Sequence, residues 1–209
     1  MLVYTIPCGF RCHTTKWLEK RGVIDQPSLP FDNGFFPVES VVKFITDDSI
    51  ELNLENTYPM IKHGDGTPHI KFISSTYSQI NHAIHKQKRY NNQLLDTTRG
   101  YYTWCCDYDF VLAHYNWHPS SKHGDNVKDV KQNMLSISAM MNRRRQRLME
   151  QITSADEVQL VYWDYNHKMM SIDHTHYDLS AERAENILID TFKDIHKNVS
   201  FRVIGKDLI

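Results

Sequence analysis

The chain has 209 residues, which is enough to bury the core of one domain. Its 41% hydrophobic and 23% charged residues exclude a disordered or fibrous protein, and its formal net charge of -1 gives no overall attraction to nucleic acid or an anionic membrane. No window approaches the roughly 18 apolar residues of a membrane helix. We therefore predict a single cytoplasmic domain over residues 1–209 that binds neither nucleic acid nor a membrane.

The N-terminal third predicts a strand, a short helix, a loop and a second helix. Residues 2–7, LVYTIP, favour a strand, and residues 12–21 favour a helix closed by Gly22. The turn residues of SLPFDNGFFP, at 28–37, predict a loop. Pro37 suits the first position of the helix in PVESVVKFI.

The middle of the chain is less regular. HIKFISS, at 69–75, predicts a strand, and the apolar spacing over 76–90 predicts a helix. FVLAHYN, at 110–116, predicts a further strand, and HPSSKHGDN, at 118–126, predicts a loop.

The clearest predicted helix runs from residue 125 to residue 152. Its apolar residues recur every three or four positions and form one stripe, consisting of Val127, Val130, Met134, Ile137, Met141, Leu148 and Ile152. Arg144 stands in a gap of this stripe. We expect its guanidinium to face the body of the domain, where it needs an anionic partner or substrate.

The last third predicts a buried strand at 158–163, an amphipathic helix over 180–197 and a final strand at 199–205. Strands and helices thus alternate through much of the chain. We predict an α/β fold: one domain with a central, mainly parallel sheet flanked by helices.

Cys12 is the residue that invites a chemical interpretation. A thiolate at the first turn of a helix is stabilised by unpaired backbone N–H groups and the positive end of the helix dipole, and Arg11 and His13 would act in the same direction. The alternative is a small core residue, since free cysteine is among the most buried types. The C-x3-C spacing of Cys8 and Cys12, without a second spaced pair, argues against zinc bound by cysteines.

A nucleophilic cysteine needs a base and a group that orients the base. His114 is one candidate base, because it follows the apolar run FVLA at the end of a predicted strand. The other is His176, which forms a D-x-x-H pair with Asp173 before the last predicted helix. Either one could instead be an ordinary half-buried histidine. A histidine metal site drawing on His114 and His118 of HYNWH and on His174 and His176 of HTH is a further, less favoured interpretation.

Six segments, taken in order, carry a family resemblance. They are GFRC, WLEKRG, LPFDNGFFPVESVVKFI, FVLAHYN, NRRRQRL and VQLVYW, and they span about residues 3–163. In this order they resemble the little-characterised family of papain-like cysteine peptidases. The resemblance implies a cysteine peptidase, and an α+β papain-like fold as the alternative to the one predicted above.

The resemblance also implies roles for individual residues. Cys12 would be the nucleophile, His114 the base and Asp32 of PFD a nearby orienting or structural carboxylate, while Arg143 and Arg144 match the arginine pair. The strand, nucleophile loop and helix at the N-terminus are also similar to the SGNH-type hydrolases. In that case Cys12 would replace the serine, and Asp173 and His176 would complete the triad.

These observations predict a cysteine hydrolase or acyl transferase that works through a thioester, without metal or cofactor, on a small-molecule, peptide or glycan substrate. Arg144, Arg143 and Asn116 are the candidate substrate-binding residues. One alternative is a glycosyltransferase using a nucleotide sugar, suggested by DYD at 107–109. The other is a non-catalytic carbohydrate- or protein-binding module with an aromatic surface from YYTW at 101–104 and HYNWH at 114–118.

Overall fold

A computed structural model of the chain describes residues 1–63, 69–74, 102–113, 130–165 and 169–205. Its helices are α1 (His13–Lys20), α2 (Val38–Thr46), α3 (Val130–Ser154) and α4 (Ala181–Lys193), with a 3-10 turn at Pro30–Asn33. Its strands are β1 (Val3–Pro7), β2 (Gly34–Phe35), β3 (Thr57–His63), β4 (His69–Ser74), β5 (Tyr102–Cys105), β6 (Phe110–Leu112), β7 (Glu157–Trp163), β8 (Met169–Ile172), β9 (Thr175–Asp178) and β10 (Val199–Ile204).

The first sheet is parallel and has β7 at its centre. Strands β1 and β10 pair with opposite edges of β7, and Ile6 and Phe201 both lie opposite Leu160. Leu160 and its neighbours two residues away face the main core with α2, α3 and α4, whereas Val161 packs with Leu18 of α1. Helices therefore cover both faces, which explains why the sequence of β7 is almost continuously apolar. The three strands predicted at these positions are confirmed.

The second sheet is larger and has the order β2-β6-β5-β3-β4-β8-β9. Its neighbours are antiparallel except for the parallel pair β4 and β8. The mixed α/β class is confirmed, but the expectation of a single mainly parallel sheet does not fit this second sheet. Short hairpin turns join β5 to β6 and β8 to β9, and strands joined so closely can pair only antiparallel.

The main core lies between the parallel sheet and helices α2, α3 and α4. The apolar stripe predicted for the long helix is confirmed at its described positions, where Met134, Ile137, Met141, Leu148 and Ile152 are buried. Arg145 lies between Met141 and Leu148 of the stripe and donates hydrogen bonds to the carbonyl oxygens of Phe44 (2.8 Å), Ile45 (3.3 Å) and Asp48 (3.2 Å). The first two bonds satisfy carbonyls in the last turn of α2, and the third reaches a residue just after the helix.

Several predicted elements end at the limits of what the structure describes. The predicted helix over 76–90, the loop at 118–126 and the start of the long helix at 125–129 lie outside the described residues, as does the end of the strand predicted at 110–116. The last helix is shorter than predicted, since it spans Ala181–Lys193. No helix in the described ranges is long and apolar enough to cross a bilayer. The assignment of residues 1–209 to one domain stays a prediction.

A test of this core comes from the bonds between α3 and the segment after α2. The Asn142 side chain accepts a hydrogen bond from the Ile50 N–H and donates one to the Ile50 carbonyl, both at 2.7 Å. Because Ile50 is 1% exposed, Asn142→Ala would leave its N–H buried without an acceptor. We expect a loss of about 2 kcal/mol in the free energy of unfolding, measured by urea denaturation.

The matched control is Gln146→Ala, one turn further along α3, where the side chain is exposed and donates a hydrogen bond to the exposed Glu150 at 2.9 Å. We expect a change within about 0.5 kcal/mol. Equal losses in the two variants would contradict a specific role for Asn142.

Candidate active site

Two loops meet at the carboxyl edge of the parallel sheet. Residues 8–12 follow β1, and residues 164–165 follow β7. Pairing continues one residue past β1, because the Cys8 N–H donates to the Val161 carbonyl at 2.9 Å. In open α/β sheets ligands bind at this edge, outside the carboxyl ends of the strands. We call the group formed by Arg11, Cys12, His13, Trp163 and Tyr165 the carboxyl-edge site.

Cys12 lies at the N-terminus of α1. It is half-buried, its thiol is free, and its carbonyl accepts the first hydrogen bond of the helix from the Lys16 N–H at 3.1 Å. The backbone N–H groups of the first turn have no acceptor within the helix, and they carry the positive end of its dipole. The helix predicted to begin at this cysteine is confirmed, and Cys12 occupies the end of the helix whose backbone is suited to holding negative charge.

A close contact fixes the loop that presents Cys12. A Cβ atom on Gly9 would lie 1.7 Å from Thr14 Oγ1 and 2.8 Å from Thr14 Cβ, so only glycine lets the chain pass against the first turn of α1. The next residue, Phe10, is fully buried, and its carbonyl accepts from the Phe36 N–H at 2.9 Å. The loop is thus held on both sides of its turn.

The side chains around Cys12 include a cation and a buried hydroxyl. The Arg11 guanidinium lies 4.9 Å from the centre of the Phe35 ring. Tyr165 is 6% exposed, and burial raises the pKa of its hydroxyl well above the ordinary range, while the Arg11 charge opposes the shift and the Cys12 thiol adds to it. His13, the residue after Cys12, packs against Trp163 at the end of β7, with ring centres 6.2 Å apart.

Asp32 connects the turn at 30–33 to helix α1. Its Oδ1 accepts from the Thr15 hydroxyl and its Oδ2 accepts from the Leu29 N–H, both at 2.6 Å. Burial raises the pKa of this carboxyl, against the opposing effects of the two hydrogen bonds and of the Arg144 charge. Thr15 lies one helical turn beyond Cys12, so Asp32 stabilises the helix start that carries the thiol.

The predicted arginine pair lies beside the same turn. Arg143 is exposed, whereas Arg144 is half-buried and donates to the Leu29 carbonyl at 3.2 Å. Arg147 donates to the neighbouring Ser28 carbonyl at 2.6 Å. Arg144 therefore does face the body of the domain, and its guanidinium supports the loop that carries Asp32. Substrate binding by Arg143 and Arg144 stays a prediction.

Asp173 and His176 lie in a hairpin. The expectation that they stand in a loop directly before the last helix is wrong, because Asp173 occupies the β8–β9 turn and His176 belongs to β9, opposite Ser171. Asp173 has a positive φ of 48°, and its two carboxylate oxygens accept from the backbone N–H (2.7 Å) and the hydroxyl of Ser74. This carboxylate therefore ties the hairpin to the end of β4.

His114 and Asn116 lie outside the described residues, and so does His118. Strand β6 ends at Leu112, and the described segment ends one residue later at Ala113. Ala113 is buried and packs in the same hydrophobic cluster as Phe10 and Tyr165.

The residues that suggested the two alternative functions make structural contacts within the domain. Asp107 and Asp109 lie in the β5–β6 turn, where Asp107 accepts from Asn56 at 2.7 Å and Asp109 forms a 3.0 Å ion pair with Lys43. Across the described segments, no three His, Cys, Asp or Glu side chains converge as a metal site would require. Tyr102 of YYTW is buried in the core and therefore provides no aromatic binding surface.

Comparison of the chain with known protein families, with curated proteins and with solved structures finds no match in any of the three. The sequence alone points to Cys12 but not to Tyr165. The available signal was its place two residues after β7, at the edge of the sheet where the loop from β1 also ends.

The raised pKa of Asp32 gives a pH test. The folded-state pKa of Asp32 lies above the unfolded value of about 4. Between these two pH values, the folded chain therefore binds more protons than the unfolded chain. The stability contributed by protonated Asp32 is then complete below pH 4 and is lost as the pH rises through the raised pKa. We expect the difference in unfolding free energy, wild type minus Asp32→Asn, to fall with rising pH by at most about 1.4 kcal/mol per pH unit.

A second variant identifies the cause. Thr15→Val removes a hydrogen bond that favours the carboxylate, so the same fall should move to higher pH. Urea denaturation across the pH range measures both effects. A difference that grows with pH would mean that Arg144 dominates and lowers the pKa of Asp32.

Proposed function

We propose that the protein is a cysteine hydrolase or acyl transferase with Cys12 as its nucleophile. The observation that carries the proposal is the position of a half-buried, free thiol at the N-terminus of α1, on the carboxyl edge of the parallel sheet. A nucleophile there can reach a bound substrate while backbone N–H groups stand ready for the negative charge that acyl transfer creates.

The proposed reaction has two halves. The base takes the proton of the Cys12 thiol, the resulting thiolate attacks an acyl carbon, the carbonyl electron pair moves to oxygen, and the N-terminal N–H groups of α1 hold that oxyanion. When the carbonyl reforms, the bond to the leaving group breaks and the base passes that proton to the leaving group. Water then gives a proton to the base and attacks the thioester, the C–S bond breaks, and acid and thiolate are released. In a transferase, an alcohol or amine replaces the water.

We propose His114 as the base. The support is its neighbour Ala113, which belongs to the same hydrophobic cluster as Phe10 of the loop before Cys12 and Tyr165. His176 has less support, because it is exposed on β9 and the carboxylate of Asp173 is engaged by Ser74. Asp32 acts in this proposal as the structural carboxylate, through its bond to Thr15.

The substrate we propose is an ester, thioester or amide of a small molecule, peptide or glycan, turned over without a cofactor in the cytoplasm. Arg11 at the carboxyl-edge site offers positive charge to an acidic part of it, and Arg143, Arg144 and Asn116 are the further substrate-binding residues that we propose. The strand β1 directly before Cys12 favours an SGNH-like order of strand, nucleophile and helix over a papain-like α+β fold. A peptidase is thus one member of the proposed class rather than its only form.

The first test is acylation of Cys12. Incubated with p-nitrophenyl acetate, the wild-type chain should release a burst of nitrophenol and gain one acetyl group by intact mass, which peptide mapping places on Cys12. Cys12→Ala should lose both signals, because no thiolate remains to form the thioester. The matched control is Cys106→Ser, which removes the other half-buried thiol and should keep the burst. Release that survives in Cys12→Ala sinks the proposed mechanism.

The second test concerns the base. His114→Ala should slow acylation by a factor of about 10² to 10⁴ at neutral pH, since the thiol must then lose its proton to water. Added imidazole should restore part of the rate. His176→Ala is the comparison and should acylate like the wild type. The reverse pattern, with only His176→Ala impaired, would assign the base to His176.

A further inference from the structure

The hydroxyl of Tyr165 is buried at the carboxyl-edge site, and it has no hydrogen-bond partner among the residues that the structure describes. The backbone N–H of Arg11 approaches its oxygen without reaching the geometry of a hydrogen bond. Buried hydroxyl groups almost always have a hydrogen-bond partner, because burial removes their hydrogen bonds to water and an unpaired hydroxyl gains none in exchange. A binding partner absent from the free protein would explain this one.

The position of that hydroxyl is firmly set. The Tyr165 ring packs edge-on against the buried ring of Phe10, with centres 5.6 Å apart. The preceding residue is also fixed, because the Asp164 N–H donates to the Ile204 carbonyl at 2.7 Å. The hydroxyl is thus held where the loops after β1 and β7 meet, near the Arg11 charge and the Cys12 thiol.

The chemistry of this hydroxyl suits a donor. Its surroundings disfavour tyrosinate, so the phenol keeps its proton throughout the neutral range and can donate but not act as a base. The group beside Cys12 that needs a donor is the carbonyl oxygen of an acyl group bound to the sulfur. That oxygen becomes negative in the tetrahedral intermediate, and preorganised donors in a site shielded from water then have their largest effect.

We infer that the buried, unpartnered hydroxyl of Tyr165 beside Cys12 is a catalytic hydrogen-bond donor to the oxyanion formed during acyl transfer. It acts with the N–H groups of α1, and the Arg11 charge adds to the stabilisation. No proton is transferred: the hydroxyl keeps its hydrogen while negative charge forms on the substrate oxygen and disappears again. This inference rests on the proposed function of Cys12.

The test compares two reactions of the same thiol. Acetylation by p-nitrophenyl acetate passes through an oxyanion, whereas alkylation by iodoacetamide displaces iodide directly and forms no charged oxygen. Tyr165→Phe removes only the hydroxyl. It should slow acetylation of Cys12 by a factor of about 10² to 10³ while leaving alkylation within about threefold of wild type. Its melting temperature should not fall, because the hydroxyl has no partner to lose.

Tyr162→Phe is the matched control on strand β7. The Tyr162 hydroxyl is also buried, but it donates to the Leu179 carbonyl at 3.2 Å. Its removal should lower the melting temperature and leave both reactions of Cys12 unchanged. Tyr165→Phe should thus lose acetylation rate but not stability, whereas Tyr162→Phe should lose stability but not acetylation rate. A purely structural role for Tyr165 would not produce this difference.

Two results would overturn the inference while the proposed function stands. One is acetylation of Tyr165→Phe at the wild-type rate. The other is an equal slowing of acetylation and alkylation, which would mean that Tyr165 affects the thiol and not the oxyanion. Failure of the wild-type chain to form any thioester on Cys12 is a different result, and it would remove the proposed function and this inference together.

Discussion

The pairing of β1 and β10 with the two edges of β7 is the constraint on which the rest of the structure depends. Because all three strands run in the same direction, the loop that leaves β1 and the loop that leaves β7 emerge at the same edge. A cysteine and a tyrosine separated by 153 positions are thereby brought to one place. The helices bury both faces of β7 and hold this register in place.

Phe10 and Phe36 link the two sheets. Phe36 packs in the main core, stacked on Phe110 with ring centres 4.8 Å apart, while Phe10 belongs to the cluster on the larger sheet. The hydrogen bond between their backbones joins these clusters at the loop that presents Cys12. Packing on either side of this bond therefore determines where the thiol stands.

The amino-acid sequence alone predicts the parallel sheet and its helices well, since β7 is apolar on both faces and the helices carry regular stripes. It does not predict the larger sheet, whose order depends on pairings between strands far apart in the chain. The sequence does not predict the β8–β9 hairpin, because its turn begins with an aspartate at positive φ, where glycine is the usual signal. Cys12 could be found from its position before a helix, but the missing partner of Tyr165 is a property of the folded chain only.

The four cysteines differ in a way that bears on how the domain opens. Cys8 and Cys105 are fully buried in the main core, and burial raises the pKa of both thiols, so they stay inert while that core is closed. Cys12 and Cys106 are half-buried and meet reagents in the native state. We therefore expect the two pairs of thiols to react with an added reagent at two different rates. In a folded molecule two thiols are modified fast, and the slow modification of the other two times the local unfolding events that expose the ends of β1 and β5.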